Sequence, residues 1–260
     1  MKYFLHDCWY VCWRELLHFL RSKVSVLASI FQPLVWLLLV GNIFQGTKAL
    51  PGFPAASYVD FMTPGVLVMV SLFSGSMAGM TVIWDRRVAF LSKLLALPIS
   101  RASIVVGKML SVAIRTSLQI LIVLGVAMAM GVRSATGIMG IPVLLLIAVL
   151  LTFAFSGVSI TVGALVKQPE TFWAVVNFMT APMLFMSSAL FPLELVPNWL
   201  RAIALLNPVT HAINPIRTLM LVGWDWQSVI GGLTVVIIFS VIVAGISTYI
   251  FVRRVDMSTL

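Results

Sequence analysis

Charge is what this chain has least of. Eight Asp and Glu residues and three histidines occur among 260 residues, and charged side chains of both signs make up 10% of the total, against about a quarter in soluble globular domains. That deficit excludes a fully solvated surface. With hydrophobic residues at 61% and a mean hydropathy of +1.09, it specifies an integral membrane protein. The shortage of titratable groups also excludes most chemistry. His6, His18 and His211 are scattered, so neither a Ser-His-Asp set nor a His-Glu-x-x-His pair assembles at motif spacing, and no catalytic residue is assigned. A Gly-x-x-x-x-Gly-Lys-Ser/Thr loop is missing, which predicts that the chain binds no ATP itself.

Only two cysteines are present, Cys8 and Cys12. They lie in an N-terminal segment assigned below to the cytoplasm, which argues against a structural disulfide. With His6 they lack a fourth ligand, so the expectation is no metal and small apolar residues on a helix. Residues 1–23 lack the compact apolar core and small-residue cleavage site of a signal peptide, which predicts that they stay on the mature protein. Internal repeats are absent too, removing support for an inverted-repeat transporter.

What is present is a series of six apolar runs, each about the length that crosses a bilayer as a helix. They cover about Val24–Phe44 (interrupted by Pro33), Phe61–Trp84, Ile104–Met130, Ile138–Val166, Thr171–Phe191 (kinked by Pro182) and Val229–Val252. The expected fold is therefore all-α and integral to the membrane: one domain over residues 1–260, with an interfacial helix in 1–23, a six-span bundle in 24–252 and a tail in 253–260. In the first segment Leu5, Trp9, Cys12, Trp13, Leu16 and Leu20 form one stripe, with Asp7, Arg14, His18 and Arg21 opposite. That pattern predicts an amphipathic helix lying flat on the membrane, tryptophans inward.

The net charge of +9 does not form one patch, so nucleic acid is not an expected partner; the bases sit beside the apolar runs, where topology signals and anionic lipid place them. Eleven of them (Lys2, Arg14, Arg21, Lys23, Arg86, Arg87, Lys93, Arg101, Lys167, Arg253 and Arg254) fall on one side, and four (Lys48, Arg133, Arg201 and Arg217) on the other. Both termini are thus expected in the cytoplasm. Lys108 and Arg115 share a face of the third span. Lys108 is expected to snorkel to the interface, whereas Arg115 pairs with an acid, lines a polar cavity or reaches lipid headgroups.

Two segments outside the spans carry pattern. Asp85–Arg101 places Phe90, Leu94 and Leu97 on one helical stripe with Leu91 and Leu95 beside it, and Arg86, Arg87 and Lys93 supply charge before Pro98 stops the helix. The apolar face needs a cover, either a partner protein's groove or lipid headgroups. On the outer side, Phe191–Arg217 holds Pro192, Pro197, Pro208 and Pro215, which predicts short helices joined by turns. Pro197 suits the first turn of a helix bearing Trp199, Leu200, Ile203 and Leu206. Glu194 at its start is either a structural cap or a gate.

Taken together, this organisation resembles the permease subunit of type-2 ATP-binding-cassette (ABC) transporters, in particular prokaryotic drug, lipo-oligosaccharide and polysaccharide exporters. The most specific stretch is Phe185–Leu221, FMSSALFPLELVPNWLRAIALLNPVTHAINPIRTLML, with its FPLELVP turn, short helix and Asn207-Pro208 turn. The resemblance implies a separate ATPase subunit, which holds ATP and Mg and docks on the N-terminal helix and the helix after the second span. It assigns coupling to Asp85, Arg86, Arg87, Phe90, Leu91, Leu94 and Leu95, supported by Arg14 and Arg21. An outer gate or cap would comprise Glu194, Pro197, Trp199, Asn207 and Pro208. It further implies a second permease copy, a plasma-membrane location and outward transport along a path lined by the first, second and fifth spans. The rival reading, an ion- or proton-coupled secondary transporter, needs ionisable groups at mid-membrane, and only Arg115 approaches that.

Overall fold

The computed structural model describes residues 3–43, 57–189, 193 and 196–257. Every regular element among them is helical. In chain order the α-helices are α1 (Phe4–Arg21), α2 (Lys23–Val35), α3 (Gly41–Ile43), α4 (Tyr58–Ser76), α5 (Ala78–Arg87), α6 (Phe90–Ala96), α7 (Arg101–Ala129), α8 (Ile141–Leu165), α9 (Pro169–Phe185), α10 (Asn198–Leu206), α11 (Pro208–Leu221) and α12 (Trp226–Met257). Five helical stretches are long and apolar enough to cross a membrane: Lys23–Ile43, Tyr58–Arg87, Arg101–Ala129, Gly137–Leu165 and Trp226–Arg254. They correspond to five of the six expected runs. The remaining one appears as α9, whose 17 residues extend about 25 Å at 1.5 Å per residue, short of the roughly 30 Å hydrocarbon thickness.

The first span stays helical through Pro33, and the segment after it, Trp36–Val40, has a π-helical pitch. Pro33 removes one helical hydrogen bond and strains the turn before it, which the span tolerates without a break. The second span is broken at Met77 between α4 and α5. Ser159 of α8 repairs the break: its hydroxyl donates to the Ser76 carbonyl (2.5 Å) and accepts from the Gly79 N–H (2.8 Å). Inside a bilayer such backbone groups find no water, so a side chain must serve them.

The centre of the bundle is the pair formed by the second span and α8. In the second span, 72% of the apolar window is buried, against 17% for α12 and 11% for the first span, which therefore expose most of their surface to lipid or a partner. α8 packs on α12, α4, α5 and α7, contributing Leu144, Ile147, Leu151 and Phe155 to the main core with Phe61, Leu67 and Leu72 of α4. Where α5 crosses α8 the backbones touch. A Cβ at Gly163 would collide with the Gly79 carbonyl, and one at Gly79 with the Ser159 carbonyl, so only glycine permits this crossing.

α1 lies along α7. Its buried face is Cys8, Val11, Cys12 and Leu16, whereas Leu5, Trp9, Trp13 and Leu20 are exposed. The expected single apolar stripe is thus divided: one strip packs on α7, where Gly107 admits Cys8 and Val11, and the adjoining strip, with Trp9 stacked on Trp13, faces outward.

Candidate functional site

Four charged side chains converge where α1, α5 and α7 meet. The Lys108 ammonium, only 1% exposed, donates to Asp85 (2.6 Å), to Glu15 (2.7 Å) and to the Thr81 hydroxyl (3.1 Å). Arg14 forks onto Asp85 at 2.8 and 3.4 Å, reaches Glu15 at 3.1 Å, and lies 3.6 Å over the Phe90 ring at the start of α6. Two bases and two acids sum to zero, which is the condition under which such charges tolerate burial. Apart from the cation–π contact with Phe90, each is a charge-assisted hydrogen bond, and Arg14 uses its planar fork. The cluster corrects the expectation that Lys108 snorkels to the interface: its α7 neighbours Ile104 and Val112 are core residues, so the ammonium cannot reach water and instead finds two carboxylates.

Glu15, Thr81 and Lys108 are missing from the sequence-derived set, although Glu15 and Lys108 carried a readable signal. Glu15 is three, four and seven residues beyond Cys12, Val11 and Cys8, on the buried strip of α1; Lys108 is four residues from Ile104 and Val112; Asp85 is three and seven residues beyond Val82 and Ala78. A charge at a core position of a helical stripe implies partners on whatever packs there.

α6 corrects a second expectation. Its apolar face is covered by neither a partner nor lipid: Leu91 and Leu94, with Phe90 and Leu95 packed beside them, join a cluster containing Val82, Ile104, Met109, Ile160 and Phe251. What α6 presents outward is Ser92, Lys93 and Ala96, continued by the exposed Leu97. The turn between α5 and α6 is held by Ala89 at φ 53°, a left-handed conformation that costs a non-glycine residue about 1–2 kcal/mol. Arg86 turns inward, donating to the carbonyls of Ala164 and Val166 at 3.1 Å each, and so caps α8. Arg87 is exposed beside Trp84, and Arg21 is exposed at the end of α1.

Further into the bundle, Arg115 donates to the Ser74 carbonyl (3.4 Å) near the end of α4 and lies 5.3 Å from the Phe19 ring centre. Ser74 in turn donates to Gln119 (2.8 Å). Among the described residues no carboxylate lies within ion-pair distance of Arg115.

On the opposite side, Asn207 ties two helices together. Its amide donates to the carbonyls of Met183 (2.6 Å) and Met186 (3.2 Å) at the end of α9, and its side-chain oxygen accepts from Val209 N–H (2.9 Å). It thereby N-caps α11, with Pro208 in the first turn. Pro197 sits at the N-cap of α10, its carbonyl accepting from Leu200 and Arg201 at 3.0 Å each. Trp199, Ile203 and Leu206 of α10 are exposed. Glu194 lies outside the described residues.

Residues 6–221 match the family model described as ABC-2 type transporter. The chain is 30% identical to a protein of Cyanophora paradoxa that carries the name transport permease ycf38, over 84% of this chain and 75% of that one. It is 24% identical to the daunorubicin resistance ABC transporter permease protein DrrB1 of Streptomyces coeruleorubidus (80% and 72% covered) and 25% identical to nodulation protein J of Rhizobium leguminosarum bv. viciae (95% and 94%).

Proposed function

The chain belongs to the ABC-2 type transporter permeases, and on that premise we propose that it is the six-span membrane subunit of an ABC exporter. α9 supplies the sixth crossing, both termini are cytoplasmic, and the bundle sits in the plasma membrane. Two permease copies work with two ATPase subunits that bind ATP and Mg, and this chain catalyses nothing itself. The cargo is an amphipathic drug, a lipid-linked molecule or a glycan.

The observation that carries this reading is the Arg14–Glu15–Asp85–Lys108 cluster. It fastens α1 to α5 and α7, and through Arg14 and Phe90 it also holds α6. A displacement of α1 or α6 by an ATPase is then delivered to the second and third spans as a unit, because ATP-driven work requires the partner to bind the transport states with different affinity. The buried side of α6 cannot be the ATPase contact, so Lys93 on its outward side, with the exposed Arg87 before it and Leu97 after it, is assigned that role. Glu194, Pro197, Trp199, Asn207 and Pro208 form the outer cap.

The test is co-purification of the full chain with its ATPase in mild detergent, followed by ATP hydrolysis. Arg87→Glu combined with Lys93→Glu changes only exposed side chains, so the expected result is a stably inserted permease whose ATPase is lost or whose hydrolysis falls at least tenfold. Unchanged hydrolysis and export would remove the assignment of this surface. Absence of any ATPase partner would return weight to the secondary-transporter reading.

A further inference from the structure

A cavity of about 250 Å³ opens between the first span and α4, near the low end of ligand pockets, which begin at roughly 300 Å³. Pro33, Trp36 and Phe73 make its apolar walls, and Ser29, Gln32 and Ser74 its polar points. Two features there lack a structural explanation. Gln32 is exposed on a membrane-crossing helix, and its amide makes no hydrogen bond within the described residues, an arrangement that is costly against hydrocarbon. Arg115, whose guanidinium touches the cavity residue Ser74, has one long hydrogen bond for five N–H donors.

Charge accounting sharpens the second point. Glu15 is the acid whose field reaches Arg115, but its carboxylate already accepts from Arg14 and Lys108, and Asp85 accepts from the same two bases. The four-residue cluster is neutral without Arg115. Counting along α7, Arg115 is seven residues beyond Lys108, about 10 Å deeper at 1.5 Å per residue. A positive charge is thus left without a counter-ion beside Ser74, a polar residue of an otherwise largely apolar cavity. An intramembrane cation in that position is stabilised when an anion enters.

We propose that the cavity between the first span and α4 binds an amphipathic molecule with an anionic, phosphate- or carboxylate-type headgroup, held by Arg115 with Gln32 and Ser74, its apolar body lying along Pro33, Trp36 and Phe73. This deepens the exporter reading, on which it rests only in calling the occupant cargo. The alternative role of Arg115 is a helix cap: its charge sits near the C-terminal end of α4, which favours a cation, and this alternative predicts no headgroup preference.

The experiment places the full chain in phosphatidylcholine nanodiscs and titrates dodecyl phosphate against dodecyl maltoside, following the fluorescence of Trp36 as the difference between the native chain and Trp36→Phe. Dodecyl phosphate is expected to bind at least tenfold more tightly. Arg115→Gln abolishes that preference, Arg115→Lys keeps most of it, and Gln32→Leu weakens it severalfold without loss of thermal stability, since Gln32 holds nothing in place. Equal affinity for the two amphiphiles, or a preference that survives Arg115→Gln, overturns the proposal. If Arg115→Gln does not insert, the comparison of Gln32→Leu with the native chain decides in the same way. Replacing part of the bilayer with phosphatidylglycerol separates the sources of the headgroup. Competition supports the site with a bilayer lipid as its ligand, and undiminished dodecyl phosphate binding supports it with a diffusible amphiphile. The assay contains no ATPase and no ATP, so its failure is distinct from failure of the exporter reading, which the co-purification above tests.

Discussion

At the scale of single residues, the behaviour of the buried ions follows from who else is present. Removing one member leaves an uncompensated charge, which costs about 3–5 kcal/mol, whereas removing a matched pair costs much less. Lys108→Met and Asp85→Asn are each expected to lower the thermal unfolding midpoint of the purified chain markedly, and the double variant is expected to lose less than the sum. An additive double variant would mean that the two do not act as a pair. Cys12 offers a pH test. Its thiol is buried between α1 and α7, and that burial, with Glu15 nearby, pushes it up to about 11 from an ordinary value near 9; Cys8 is raised in the same sense. The folded chain therefore keeps a proton that the unfolded chain releases above pH 9, so stability is unaffected below pH 9 and falls as pH rises from 9 toward 11. Replacing Cys12 with Ala should flatten that part of the pH–stability curve, and an unaltered slope would show that this thiol does not contribute.

At the scale of elements, the contact between α5 and α8 decides whether the core closes. Gly79→Leu has no space, since a backbone carbonyl occupies the position of the new side chain. Overpacking of this kind costs 1–3 kcal/mol or more. The expected outcome is loss of the folded chain on size-exclusion chromatography. Gly125→Ala is the control: nothing lies within 4 Å of the added methyl, and Ala in place of Gly in a helix gains about 1 kcal/mol. If both variants behaved alike, close helix approach would not be the reason for these glycines. The sixth crossing is likewise an element-scale matter. Pro169 in the first turn and the turn after Phe185 limit α9 to 17 residues, and Asn207 anchors its end to α11.

At the scale of the whole molecule, the second span is enclosed while its flanking helices are bare. Phe178 on α9 is 81% exposed and Leu27 and Phe31 on α2 are 70% and 64% exposed. A second permease copy seated over α9 accounts for that face in the proposed dimer. Phe178→Cys in a chain whose Cys8 and Cys12 are replaced by Ala is therefore expected to form a disulfide-linked permease pair in native membranes under mild oxidation. A chain that remains monomeric on denaturing gels would place lipid, not a second copy, on α9.

The amino-acid sequence by itself determined the helical, membrane-integral class, the positions of the apolar runs, the α10–α11 turn and the candidate coupling segment. These follow from local quantities: hydropathy over about twenty residues, proline chemistry and 3.6-residue periodicity. Tertiary structure alone decided which residues meet. Glu15, Asp85 and Lys108 are separated by 70 and 23 positions, and their ion cluster exists only because α1 folds back along α7. The apolar face of α6 called for a cover, a partner or lipid, because an amphipathic stripe states that something covers it and not what does so; here Ile104, Ile160 and Phe251 do. The same limit applies to Arg115. Its depth was legible in the chain, but that its neighbours spend their carboxylates elsewhere is a property of packing, in which each charge is matched by distance rather than by sequence.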